Sequence, residues 1–310
     1  MKKNMLFISS LLFATVLFAN EKKAIYYANG NKHFEYVTTN ELLNGELIAW
    51  YENGHLKIKG QFKNNQKNGV WTVWDANGIM RAQRKYEDDY SFQIIKEWDS
   101  TGRLIDPAII EQKNERLIAA RSKEMKEKQM RYLQRHWKSI TADKAANDFL
   151  FKDNLFFNYL ITQASKKTMT VYNDDRCVNR NEDIQSIKAY KDVAAVEYII
   201  KEDLTYTRDH QVMHVNVLTI CPVVLINGER KKVGWFYVPH VCINKQATDE
   251  IDEIVTKIEN HHFASTVIKS TVHATNKEGD AVTPEESDAI NLSTLDYEAN
   301  AWIAAVAGMR

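Results

Sequence analysis

Cysteine is scarce, with three residues in 310, at Cys177, Cys221 and Cys242. An odd and sparse set does not make a disulfide framework, even in an oxidising compartment. Cys221 and Cys242 flank an expected hairpin and could face each other, or both could be free buried thiols. Charge of one sign is lacking too: Lys+Arg and Asp+Glu each number 41, so the chain offers no global field to attract nucleic acid. Long apolar runs are absent beyond the start, which excludes a spanning helix elsewhere.

That start is informative. "MKK" is followed by the apolar run "MLFISSLLFATVLFA", and then by "NEKK". This is the pattern of a secretory signal peptide over residues 1–19, cleaved near Ala19. No cysteine follows the run, so no lipid anchor is expected.

Residues 24–106 are periodic. Gly30, Gly54, Gly78 and Gly102 are each 24 residues from the last, and four residues before each stands an aromatic: Tyr26, Trp50, Trp74 and Trp98. Asn-Gly is a strong hairpin signal, read here as a type I′ turn. Alternating segments such as "ELIAWY" and "VWTVW" flank the turns as strands. One such unit cannot bury its aromatic alone, whereas stacked units form one continuous sheet. The pattern resembles the MORN-like repeats also seen in bacterial antitoxin-type proteins. The aromatics are either a stacking platform for sugar or peptide or the core of the sheet, and the core is the expectation.

After Asp106-Pro107, no Gly or Pro interrupts residues 108–137, and Glu124–Lys128 and Glu127–Arg131 are favourably oriented i,i+4 pairs. The spacing predicts a charged helical linker over 107–145. The remainder, 146–310, reads as an α+β domain with an antiparallel sheet, including a hairpin turn at Asn227-Gly228. The expected class of the whole is therefore α+β: a β-repeat sheet, a long charged linker helix and a C-terminal α+β domain.

The stretch "IIKEDLTYTRDHQVMHVNVLTICP" carries Glu202, Asp203, Asp209, His210, His214 and Cys221, residue types that bind metals or move protons. As a strand, however, it sets His210 and His214 about 13 Å apart, too far to share one zinc ion. No nucleophile elbow, phosphate loop or zinc-binding helix motif occurs in the chain. No catalytic residue, metal site or cofactor is expected.

The same stretch, with the lead-in "NLFFNYLITQASKKTMTVYNDD" and the following "VGWFYVPHVCIN", resembles the GldN/PorN proteins of type IX secretion and gliding machinery in Bacteroidetes. The likeness covers residues 148–245, and Lys201, Glu202, Asp203, Arg208, Pro222 and Trp235 occupy its motif positions. It departs at Leu204 and Thr205, where the family has aromatics, and in the repeats that replace the family's N-terminal portion. The resemblance implies a structural, non-enzymatic part of a large periplasmic ring. Its partners would be a GldK/PorK-like outer-membrane lipoprotein and the periplasmic part of a GldM/PorM-like inner-membrane motor. Lys201–Asp203 and their neighbours would then set a turn and a docking edge. The alternative is an exported recognition module whose repeats bind glycan, peptidoglycan or a partner protein.

Overall fold

A computed structural model describes residues 20–87, 92–119, 130–191, 193–207, 212–243, 248–272 and 279–307. The expected signal peptide and Arg208, Asp209 and His210 lie outside the described residues. The chain is α+β, with two antiparallel sheets and a helix shared between them.

The first sheet is a seven-stranded meander in sequence order. Its strands are β1 (Glu21–Tyr26), β2 (Lys32–Thr39), β3 (Leu42–Trp50), β4 (Leu56–Lys63), β5 (Gln66–Trp74), β6 (Met80–Tyr86) and β7 (Phe92–Glu97). Two kinds of turn alternate. At the Gly landmarks only the glycine is left-handed, with Gly30 at φ +85° and Gly54 at +84°, while the preceding asparagines are not. Gly30 N–H donates to Tyr27 O, and Tyr27 N–H donates to Asn31 O. This is a type I turn closed by a glycine bulge, not the type I′ turn expected from Asn-Gly. The paired left-handed residues occur at the opposite end, at Asn40-Glu41 and Asn64-Asn65. Asparagine tolerates that region because its short side chain bonds locally.

Alternation along the strands gives the sheet one buried face. Phe34, Ala49, Ile58, Val73 and Ala82 form a cross-strand row on it, and Leu47, Phe62, Trp71 and Tyr86 fill the neighbouring rows. Trp71 lies flat over Gly60, where an added Cβ would come within 2.1 Å of the indole. The glycine is there because the ring needs its space.

Helix α1 (Pro107–Ala119) follows β7 and closes that edge. Asn114 accepts from Ile94 N–H at 2.8 Å and donates to Ile94 O at 2.9 Å, standing in for an eighth strand. Of the linker helix expected over 107–145, residues 120–129, including Glu124, Glu127 and Lys128, lie outside the described residues. Residues Met130–Thr141 are a strand, β8, paired to strands on both sides. His136, Lys138 and Ile140 face one way and Arg135, Trp137 and Ser139 the other. Sheet pairing at long range overrides the local helical preference of the charged run.

The second sheet adds β9 (Val171–Tyr172), β10 (Ala195–Thr207), β11 (Val212–Ile226), β12 (Glu229–Lys232), β13 (Trp235–Tyr237), β14 (Thr266–Ser270) and β15 (Asp280–Ala281). Its order is β15-β14-β8-β10-β11-β13-β9, with β12 also on β11. The turn at Asn227-Gly228 joins β11 to β12 as expected. Helices α2 (Asp148–Phe151), α3 (Leu155–Ser165), α4 (Ile184–Lys188), α5 (Val238–Ile243) and α6 (Asp249–Glu259) accompany it. A core including Phe156, Phe157, Tyr198, Ile200 and Phe236 lies between helices and sheet.

Helix α7 (Pro284–Ala307) joins the two parts. Leu292, Leu295, Ala299 and Trp302 bury against the first sheet. On its other side Ala301 packs by Leu204 and Tyr206 of the second sheet, and Tyr297 meets Tyr206 edge to face. A helix packed on two sides has apolar residues on more than one face. The segment assigned by sequence to the C-terminal domain alone thus also completes the core of the repeats. No helix among the described residues is long and apolar enough to cross a membrane.

Candidate functional site

The periodic aromatics lie on the face of the first sheet that α7 does not cover. Ile25 packs into the buried core, and Ala49 and Val73 are fully buried, so Tyr26, Trp50 and Trp74, one residue on, point the opposite way. Trp98 likewise follows the buried Glu97. Tyr26 is 57% exposed, and Trp50, Trp74 and Trp98 are half-buried. Their hairpin partners Lys32, Leu56, Met80 and Leu104 extend the band across the sheet. The expectation that these tryptophans form the core is corrected. The buried ones are Trp71 and Trp302, both at 0% exposure.

The turns hold this band at constant pitch. Tyr27 Oη donates to Trp50 O at 2.8 Å, and Tyr51 Oη repeats the bond to Trp74 O at 2.9 Å. Asn29 and Asn53 donate to Glu52 O and Ala76 O in the next turn. The first turn is thereby bonded to the second and the second to the third, and equivalent rings recur every two strands, about 9–10 Å apart.

The motif residues of the second sheet are occupied internally. Lys201 Nζ donates to Asp175 O at 2.7 Å, above Trp137. Asp203 is clasped by both arms of Arg135 at 2.5 and 2.6 Å. Pro222 accepts from Val233 N–H, and Trp235 is 6% exposed beside Tyr172. These side chains hold one sheet together and do not form an exposed docking edge. His214 is buried. Cys221 is a free thiol, and burial pushes its pKa up to about 12. Among the described residues no group of three or more His, Cys, Asp and Glu side chains could hold a metal ion.

Glu202 is the most demanding of these groups, at 1% exposure. It receives Lys138 Nζ at 2.7 Å, His261 Nε2 at 3.1 Å and His136 Nδ1 at 3.5 Å. Burial alone would raise its pKa, but Lys138 and the two imidazoles outweigh that and hold it well below the usual carboxylate range. Lys138 and His261 also line a cavity of about 380 Å³ between the two sheets, with Tyr36, Lys67 and Asp288 opposite. The lysines there are paired, Lys67 with Glu298 and Lys144 with Glu41, each at 2.7 Å. Asn65, at a repeat turn, donates to His261 O and Phe263 O and latches the first sheet to this loop. Sequence reasoning did not find this cluster, because its members come together only through folding.

A group whose folded pKa is depressed stabilises the fold fully above its unfolded pKa, about 4.3 for Glu. That contribution disappears as pH falls through the folded value. Glu202→Gln leaves Lys138 without its counter-charge, and the expected cost at pH 7 is about 3 kcal/mol. Urea titrations from pH 7 to pH 3 should show a shallower acid loss in the variant than in the wild type. Parallel curves would contradict the assignment.

Comparison with known proteins places the repeat. The family described as MORN repeat variant matches residues 43–64, which span β3, the turn at Gly54 and β4. No curated protein matches the chain.

Proposed function

We propose that the protein is a non-catalytic binding module whose reading face is the uncovered face of the repeat sheet. The MORN similarity supports a repeat-based binding module. The observation that carries the choice of face is the half-buried row Tyr26, Trp50, Trp74 and Trp98, pitched regularly and left uncovered by α7. A sheet that needed these rings only for stability would bury them.

The finer reading is a structural component of a periplasmic type IX secretion or gliding ring, assembling with an outer-membrane lipoprotein and contacting the inner-membrane motor. It rests on the likeness of residues 148–245 to GldN/PorN and on the export signal of residues 1–19, both sequence observations. In this reading the repeats are an added surface facing the envelope.

The test is retention on the cell-envelope fraction of the producing cells. The wild-type chain is expected to co-sediment, and a Trp50→Ala, Trp74→Ala, Trp98→Ala triple variant to remain soluble while melting as a folded protein. Equal retention of both would overturn the choice of face. Recovery of the lipoprotein in a very large assembly with the tagged chain would support the ring, and a monomer without it would contradict the ring.

A further inference from the structure

Resting on that choice of face, we propose that the occupant of the aromatic row is an extended β-1,4-linked glycan chain. The rings recur about every 9–10 Å, twice the spacing between neighbouring strands. That pitch is the length of one disaccharide in such a chain, about 10 Å against two strand spacings. Successive sugars of a β-1,4 chain are flipped relative to one another, so the same apolar C–H face recurs once per disaccharide. One ring per disaccharide is what the sheet presents, at Tyr26, Trp50, Trp74 and Trp98. Aromatic rings suit such a partner because they give rigid apolar area at little cost in conformational entropy.

Charge points the same way. Lys22 and Lys32 are both spent on Glu35, at 2.5 and 2.6 Å, and Lys59 is spent on Glu46 at 2.7 Å. Three of the cations on this face are thus neutralised, while the exposed Lys85 and Lys96, opposite Gln93 and Gln83, add donors suited to a hydroxyl-bearing polymer. Polar groups lie beside the band for those hydroxyls: Gln61 and Gln93 are exposed, and Gln83 Nε2 donates to Thr72 Oγ1 at 3.3 Å. Lys32 Nζ, 5.6 Å from the Trp50 ring, adds a donor at one end.

The experiment is calorimetric titration of the full chain with chitobiose, chitohexaose and maltohexaose, with the melting temperature of each variant recorded. Chitohexaose should bind about tenfold tighter than chitobiose or more, because its later disaccharides reach further rings of the same row. Maltohexaose, whose α-linkages coil the chain, should bind no better than chitobiose. Trp74→Ala should lose about tenfold for chitohexaose and keep the wild-type melt. Chitohexaose no tighter than chitobiose, or unaffected by Trp74→Ala, overturns the inference. If no oligosaccharide binds while the triple variant still loses envelope retention, the glycan is wrong and the binding face stands. If retention also survives the triple substitution, both fall.

Discussion

Trp71→Ala is expected to unfold the repeat sheet, whereas Trp74→Ala, three residues away, melts close to wild type. Trp71 is fully buried, meets Phe62 edge to face at 5.0 Å, lies over Gly60 and donates from Nε1 to Gln61 O. Its truncation leaves a cavity between the first sheet and α7 that strand pairing prevents from collapsing. The expected cost is about 3–5 kcal/mol, a large share of a total stability of about 5–15 kcal/mol. Trp74 is half-buried on the uncovered face, so its truncation should cost about 1 kcal/mol or less. Urea midpoints of the two variants measure the contrast. The reverse order would return the periodic aromatics to the core.

The second large effect is expected at Trp302. Its ring centre is 4.1 Å from the Arg84 guanidinium, which also lies 4.6 Å from the Phe92 ring centre, and Tyr86 stacks against the Trp302 ring at 6.0 Å. Arg84 is 1% exposed. Trp302→Ala therefore removes a core aromatic, worth about 3–5 kcal/mol, and uncovers one face of a buried cation. Helix α7 serves both sheets, so the damage should spread. Hydrogen exchange is expected to accelerate in β5 and β6 of the first sheet and in β14 of the second. Acceleration confined to the last turn of α7 would show that the helix does not couple them.

The meander was legible because its signal is local and repeated. A glycine in the left-handed region every 24 residues fixes where each hairpin closes, and alternation around it fixes strands. Which face is covered was not local. "WTVW" puts Trp71 and Trp74 on opposite faces, and the choice between them depends on α7, whose residues lie at the far end of the chain. A hint was available: Gly60, Ala49 and Ala82 occur on the face of Trp71, where small residues make room for large ones. The helix expected through Trp137 failed for a related reason. Its residues 130–141 carry helix-favouring charges, but β10 and β14 supply backbone partners that sequence spacing cannot reveal. The stretch containing Glu202 was read correctly as sheet, while the histidines and lysine around its carboxylate, His136, His261 and Lys138, had no shared motif to announce them.

The central claim, that the uncovered aromatic row is the reading face, is tested most directly by hydroxyl-radical footprinting of the full chain. The free chain and the chain bound to the envelope fraction are compared. Trp50, Trp74 and Trp98 are expected to be labelled in the free chain and protected on binding, with Trp71 and Trp302 unlabelled in both states. Labelling of the three outer tryptophans that binding leaves unchanged would contradict the account.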